Sequence, residues 1–298
     1  MHSNSPSMTR KQQILLSFFR TKIRLASLAS VKWAAQIAFD MFSTPYRKSK
    51  KPKPAIFKKA ENFQININGY NINGYRWHSN AKKQLLILHG FESRAYKFDM
   101  YISPFLNKGW GITTMDAKAH GKSDGKQIIL PDYVAMIETL ERNFGKFNAY
   151  LAHSFGGIAV SLHLEKNSNP DAKLVLIAPA TETDTAISLF SKIIGLGENV
   201  RITLDELILE KSGKPTSFYS IKRILPHLAN KTLWIHDKND KITPLADMAP
   251  LMDKQLPHIE YMITSGLGHS RIYKEELVIE KVVTFLNSDS ETMEVSNV

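Results

Sequence analysis

The chain has 298 residues, enough for one large α/β domain or two small ones, and its 43% hydrophobic and 22% charged residues are ordinary for a globular protein. It contains no cysteine, which excludes disulfides and thiolate catalysis. The net charge of +11 is unevenly spread, because 13 of the 39 basic residues but one of the 28 acidic residues lie within residues 1–59. The remainder is nearly neutral, which argues against an extended nucleic-acid groove, so we expect no nucleic acid as a partner.

Residues 1–59 are predicted to form a basic N-terminal arm with an amphipathic helix and a Pro/Lys linker. The stretch 14–42 is rich in apolar residues but is interrupted by Arg20, Lys22, Arg24 and Lys32, so no uncharged run reaches the ~18 residues that a spanning helix needs. An interfacial helix fits this pattern, and so does a helix packed against the body. The first alternative predicts peripheral association of a cytoplasmic protein with an anionic membrane through residues 10–59.

Buried strands and helices alternate from residue 60 onward, which predicts a mostly parallel central sheet with helices on both faces. A hairpin of half-exposed strands opens this region, on either side of Asn68-Gly69. The next strand, 84–88, is instead continuously apolar, as a strand covered on both faces should be, and 173–177 and 232–236 are also expected to be buried. The predicted strands are 63–68, 70–77, 84–88, 111–115, 149–152, 173–177, 232–236 and 259–263, and the predicted helices are 96–108, 131–144, 156–165 and 273–286.

One long interruption divides this pattern. Residues 181–230 carry no strand signal, contain an amphipathic segment that stops at Gly195, and show a capping box at 203–206 that predicts the start of a second helix. We therefore expect a small helical cap at 181–230, inserted into a core formed by residues 60–180 and 231–287. Residues 288–298 are predicted to be a polar tail.

Residues 152–156 (AHSFG) lie between a predicted strand and a predicted helix, and this sequence is close to the G-x-S-x-G nucleophile elbow. That motif places a serine, here Ser154, in a strained turn with its hydroxyl exposed. Ala152 replaces the first glycine of the pattern. A hydroxyl needs a base to become a nucleophile, and His269 follows the last predicted strand, on a loop that could reach Ser154. Its imidazole would be oriented by a carboxylate, for which Asp240 is the candidate and Asp237 the rival.

The order of these motifs along the chain resembles that of the α/β-hydrolases, and the resemblance covers roughly residues 62–287. His89-Gly90-Phe91 is similar to the loop after the third strand of that family, and residues 116–125 to its D-x-R-G-x-G-x-S turn. The resemblance implies an α/β-hydrolase fold with the acid and base in the order Ser154, Asp240, His269. It also implies an oxyanion hole formed by the backbone N–H groups of Phe91 and Phe155. At position 237 the family usually has glycine, so the Asp237 carboxylate is an unexplained extra.

The remaining histidines are expected to be structural: His153 would buttress the elbow, His89 and His120 would fix turns, and His236 would pack in the core. No grouping has convincing metal-ligand spacing and no nucleotide-binding loop is present, so neither a metal nor a cofactor is expected.

The prediction is a serine hydrolase that cleaves carboxylic esters through an acyl-enzyme on Ser154. The resemblance points to the carboxylesterase and monoacylglycerol or lysophospholipid lipase branch, acting on a small, lipid-like ester. A peptidase or thioesterase could use the same three residues, and a non-catalytic α/β-hydrolase scaffold that binds at a membrane is an alternative of another class.

Overall fold

The structure is a computed structural model that describes residues 10–46 and 52–288. Residues 47–51 of the predicted linker and 289–298 of the predicted tail lie outside the described residues. Contacts divide the chain into two compact units, one containing residues 1–44 and 182–219 and the other containing residues 45–181 and 220–298. The predicted arm helix and most of the predicted cap thus fall into the same unit.

In the described residues of the larger unit, eight strands form one sheet in the order β1-β2-β4-β3-β5-β6-β7-β8. β2 runs antiparallel to both β1 and β4, and all other neighbours are parallel. The predicted mostly parallel sheet is therefore confirmed. The strands are β1 (Glu61–Ile67), β2 (Tyr70–Trp77), β3 (Lys83–Leu88), β4 (Trp110–Met115), β5 (Ala149–His153), β6 (Lys173–Ile177), β7 (Thr232–Asp237) and β8 (Ile259–Thr264).

The central strands are covered on both faces. Every residue of β4, β5 and β7 is buried, including the polar side chains among them. The helices, in chain order, are α1 (Arg10–Ala29), α2 (Val31–Ser43), α3 (Ala55–Lys58), α4 (Asp99–Leu106), α5 (Leu130–Phe144), α6 (Phe155–Lys166), α7 (Thr183–Ile194), α8 (Glu198–Ser212), α9 (Ile221–Ile224), α10 (Ala249–Met252), α11 (Gly268–Arg271) and α12 (Glu276–Asn287). Within the larger unit α5 packs against α6 and α4 packs against α12.

The described residues of the smaller unit are mostly helical, with turns and an extended residue at Glu182. α2 packs against both α1 and α8, and α1 also contacts α7. Three alanines of α2, Ala34, Ala35 and Ala38, are fully buried, which allows neighbouring helices to approach closely. The Arg20 guanidinium donates a hydrogen bond of 2.6 Å to the carbonyl of Ile193 at the end of α7. The arm helices are therefore packed within the smaller unit, through one side of each helix.

Two sequence-based expectations about these helices are wrong. The arm is two helices rather than one, because Ser30 leaves the helical conformation and its side chain accepts a hydrogen bond from the Trp33 N–H as an N-cap. The second helix of the predicted cap begins at Glu198, so the 203–206 pattern lies inside α8 and does not start it. Burial of Val200 explains the earlier start, since the first turn of α8 gains contacts that local sequence does not reveal. The stop at Gly195 is confirmed by its left-handed conformation.

Candidate active site

β5 ends in a strained turn at Ser154. This residue has φ 53° and ψ −120°, a conformation sparsely populated by residues other than glycine. Its N–H donates to the Ile177 carbonyl at 3.2 Å, and its own carbonyl accepts from the Ala180 N–H at 3.0 Å. These two bonds tie the turn to the end of the neighbouring strand β6. The strand–turn–helix arrangement predicted for residues 152–156 is thus confirmed, and it places Ser154 at the N-terminus of α6.

Two glycines allow the close approach of backbones around this turn. A Cβ atom at Gly156 would lie 2.8 Å from the His89 carbonyl oxygen, and one at Gly90 would lie 2.8 Å from Cβ of Ser154. Any larger residue at either position would therefore force the loop after β3 and the elbow apart. Alanine is tolerated at the first glycine position of the motif, since Ala152 is fully buried and remains part of β5.

The structure brings Ser154, His269 and Asp240 together. Nε2 of His269 lies 2.9 Å from the Ser154 hydroxyl oxygen, and Nδ1 of His269 lies 2.8 Å from Oδ2 of Asp240. The residues come from the carboxyl ends of β5, β7 and β8, which are parallel and therefore end at the same edge of the sheet. With Asp240 ionised, Nδ1–H donates to the carboxylate and Nε2 is left to accept the serine proton.

Asp240 is held in place by four hydrogen bonds. Its Oδ1 accepts from the N–H groups of Ile242 (2.8 Å) and Thr243 (3.0 Å), while Oδ2 accepts from the Thr243 hydroxyl (2.9 Å) as well as from His269. Burial acts to raise the pKa of Asp240, but the hydrogen bond and charge of His269 and the two N–H donors outweigh it, so the net pKa lies below its ordinary value. The carboxylate is therefore ionised at neutral pH.

Asp237 has a different set of partners, which the sequence did not reveal. Its carboxylate accepts from the Thr264 hydroxyl at 2.7 Å, from the Leu267 N–H at 3.0 Å and from the Asn239 N–H at 2.9 Å. Burial alone would raise the pKa of Asp237. The hydrogen bonds from these donors and from the Gly268 N–H lower it by more, so the net pKa lies below its ordinary value. Asp237 thus joins the end of β7 to the loop that carries His269.

The neighbouring histidine of the elbow contacts His269 as well. Nε2 of His153 lies 3.0 Å from the backbone carbonyl of His269, and its ring lies between the rings of His269 and Tyr273, at 4.8 and 4.6 Å. Burial, followed by repulsion from His269, lowers the pKa of His153 to about 3, so the ring is neutral and Nε2–H is the donor. His153 therefore fixes the backbone of the imidazole-bearing loop, a role that the predicted buttressing of the elbow does not include.

The other histidines fix turns and loops. The N–H of Ala117 donates to Nε2 of His89, whose Nδ1–H donates to the Gly90 carbonyl; in the same way, Glu92 N–H donates to His120. Their predicted structural role in turns is confirmed. His236 is buried, accepts from the Trp234 indole and donates to the Thr243 carbonyl at 2.7 Å, which supports the loop of Asp240.

Two backbone N–H groups lie close to Ser154 in the chain or in its packing. Phe155 is the first residue of α6, so its N–H has no acceptor within the helix. The Phe91 N–H donates to no carbonyl oxygen in the part of the chain that the structure describes, and Phe91 directly follows Gly90, which is packed against Ser154. The two rings pack edge to face at 5.9 Å. Within residues 10–46 and 52–288, no three acidic or histidine side chains are grouped as metal ligands.

These atoms together suit acyl transfer. The hydroxyl of Ser154 is hydrogen-bonded to a base, the base is oriented by an ionised carboxylate, and helix α6 presents its N-terminus where negative charge would develop.

The sequence model of the family described as "Serine aminopeptidase, S33" matches residues 79–239, somewhat more than half of the chain. This match includes Ser154 and stops before Asp240 and His269. A probable serine hydrolase of Drosophila melanogaster is 27% identical over 173 residues, which are 55% of this chain and 51% of that protein. The chain thus aligns with about half the length of this curated relative.

Solved structures with the same fold include hydrolytic enzymes. An esterase of Pyrococcus furiosus superposes with a TM-score of 0.61 at 19% identity, covering 82% of this chain and 96% of that one. Est1E of Butyrivibrio proteoclasticus, solved with ferulic acid bound, gives a TM-score of 0.59 at 19% identity, covering 75% and 97%. At this level of identity the likeness shows the fold, and the predicted α/β-hydrolase fold is confirmed.

Proposed function

The chain belongs to the α/β-hydrolase family described as serine aminopeptidase, S33, and from this premise we propose that it is a serine hydrolase that cleaves carboxylic esters through an acyl-enzyme on Ser154. The observation that carries the proposal is the pair of hydrogen bonds that joins Ser154 to His269 at 2.9 Å and His269 to Asp240 at 2.8 Å. Asp240 is ionised and is held in place by four hydrogen bonds, so its negative charge stabilises the imidazolium that forms when His269 takes the serine proton.

The reaction then has two halves. Ser154 Oγ attacks the ester carbonyl while its proton moves to Nε2 of His269, and the oxyanion is stabilised by the N–H groups of Phe91 and Phe155. The imidazolium returns the proton to the leaving alkoxide, which departs as the alcohol. Water attacks the acyl-enzyme with the same base, releasing the carboxylic acid and free Ser154. No cofactor enters these steps.

The family description favours a second candidate, an aminopeptidase. Such an enzyme must also neutralise the α-ammonium group of its substrate, and a buried cation needs a carboxylate to pair with it. Both carboxylates placed in this site, Asp240 and Asp237, are already engaged by several hydrogen bonds. Ester cleavage makes no such demand, so these residues support an esterase over an aminopeptidase.

A lipid-like ester, such as a monoacylglycerol or lysophospholipid, is the finer substrate class that we propose. The apolar residues of α7 give this only limited support, because one of them, Phe190, packs against Phe42 of α2 with ring centroids 5.2 Å apart. The acyl chain length must therefore be measured.

Steady-state rates on p-nitrophenyl esters of increasing chain length, compared with leucine p-nitroanilide, test the proposal. We expect kcat/KM for the best ester to exceed that for the anilide at least 100-fold, and to rise from acetate to longer chains. Equal rates on the anilide would favour the aminopeptidase. A folded protein that turns over no ester, thioester or amide would support the non-catalytic scaffold.

A further inference from the structure

Helix α1 carries two apolar faces on nearly opposite sides. The inner face includes Ile23 and Ala26, which are buried where α1 packs within the helical unit. At 3.6 residues per turn, a second group of apolar residues falls within an arc of about 80° on the other side of the helix. These residues, here called the outer face, are Ile14, Phe18, Leu25 and Leu28.

The outer face is exposed to solvent. The exposed fractions of Ile14, Phe18, Leu25 and Leu28 are 63%, 59%, 62% and 82%. Surface helices of globular proteins normally place polar residues opposite the buried stripe, and contiguous exposed apolar groups mark interaction surfaces. Packing of α1 within its own unit therefore does not explain why the outer face is apolar.

Basic residues border the outer face on both sides. Lys22 and Arg24, both exposed, lie about 40° beyond either edge of the apolar arc, and Arg10 lies along one edge of it. The sequences of the two arm helices contain six basic residues and one acidic residue, Asp40. Arg20, by contrast, points to the inner side and is bound to the Ile193 carbonyl. An apolar stripe between cationic borders is the pattern of a helix that lies in a membrane interface.

We propose that the outer face of α1 docks this protein on an anionic lipid surface, with the apolar side chains inserted at the level of the headgroups and Arg10, Lys22 and Arg24 paired with lipid phosphates. No described helix is long and apolar enough to cross a bilayer, so α1 would lie in the plane of the surface. In this proposal the inner face of α1 packs within the helical unit, while the outer face binds lipid.

The charge distribution selects an anionic lipid over a second protein. Residues 1–59 carry 13 basic residues and one acid, so they attract a negative surface, whereas the rest of the chain is nearly neutral. A nucleic acid would be held by the same charges, but it would leave the four apolar side chains in water.

Vesicle co-sedimentation of the full chain tests this docking surface. The vesicles are phosphatidylcholine alone, or phosphatidylcholine mixed with phosphatidylglycerol. We expect pelleting with the mixed vesicles at least tenfold above that with phosphatidylcholine. Raising the salt from about 0.1 M to about 1 M, which shortens the screening length from about 10 Å to about 3 Å, should release the protein.

Two variants with matched controls separate the apolar and the charged contributions. Leu25→Gln with Leu28→Gln should weaken partitioning at least tenfold, whereas Leu277→Gln, at a leucine of α12 that is 65% exposed, should not. Replacing Arg10, Lys22 and Arg24 by Gln should weaken it about 100-fold, at roughly fivefold per charge. The same loss of three charges at the exposed Lys82, Lys108 and Lys254 should have far less effect.

Several results would overturn the proposal. Thermal unfolding followed by circular dichroism will establish whether each variant is folded. A folded outer-face variant that pellets like the wild type would exclude docking of this face on lipid. Equal binding to neutral vesicles would exclude the charge pairing. A dimer that Leu25→Gln with Leu28→Gln dissociates, without any vesicle binding, would assign the face to a second copy of this chain. Binding to RNA or DNA that is unaffected by the two leucine changes would assign the basic residues to nucleic acid.

Discussion

The two carboxylates after β7 have different duties although they are three residues apart. Asp240 contacts the imidazole of His269 directly, at 2.8 Å. Asp237 contacts the backbone of the same loop, through the N–H of Leu267 at 3.0 Å. One residue therefore sets the tautomer and charge of the proposed base, and the other sets where that base is held.

Exchange of each carboxylate for its amide tests this division. Asp240→Asn should lower kcat for ester hydrolysis by about 10⁴, because the imidazole loses the acceptor that fixes its tautomer. Asp237→Asn should lower kcat by about tenfold to 100-fold, because the loop shifts while the tautomer is kept. Steady-state kinetics of both variants decide the ranking, and the reverse order would assign the acid to Asp237.

Sequence alone could identify the residues that carry a family motif. Ser154, Asp240 and His269 each occupy a recognisable place at a strand end, and their order along the chain suffices to group them. The role of Asp237 could not be found in this way, because no family motif marks the backbone N–H of Leu267 as its partner. The contact of His153 with the His269 carbonyl, across 116 residues of chain, is likewise marked by no motif.

At the scale of elements, the arm and the inserted helices share one packed unit. α2 packs against both α1 and α8, and its buried alanines place side chains no larger than a methyl group in this packing. The sequence predicted helices in both segments, but not their association, because residues 10–43 and 183–212 are far apart in the chain and show no pairing pattern. The break at Ser30 was missed because apolar residues continue on both sides of it.

Enlarging one of these alanines tests the packing of α2. Ala38→Leu should destabilise the protein by about 1–3 kcal/mol, because it inserts three carbon atoms where no space exists. Ala29→Leu, the same change at an exposed position of α1, is the control and should cost little. Thermal unfolding of the two variants compares them, and equal midpoints would show that α2 is not tightly packed.

At the scale of the whole molecule, several buried histidines are neutral in the native state. Burial is the main cause that lowers the pKa of His89 to about 4 and those of His120 and His153 to about 3. The unfolded chain has ordinary histidines with a pKa near 6.5. Between about pH 6.5 and pH 4 the unfolded state therefore binds more protons than the native state, so the free energy of unfolding falls as the pH falls.

Urea unfolding at a series of pH values tests this linkage. Near pH 5 these three histidines should contribute about three protons to the slope of the unfolding free energy against pH, roughly 4 kcal/mol per pH unit. His120→Asn, which can keep hydrogen bonds in the turn but cannot titrate, should reduce the slope by about one proton. A free energy of unfolding that stays constant from pH 7 to pH 5 would contradict buried neutral histidines.

Covalent labelling with a fluorophosphonate tests the proposed nucleophile most directly. Intact-mass analysis should show one adduct on the wild-type protein, peptide mapping should place it on Ser154, and ester hydrolysis should cease in proportion to labelling. Ser154→Ala should take up no label and lose ester turnover while its thermal unfolding midpoint is kept, because only the attacking oxygen is removed. A Ser154→Ala protein that is labelled, or that still hydrolyses esters at the wild-type rate, would contradict the assignment of Ser154 as the nucleophile.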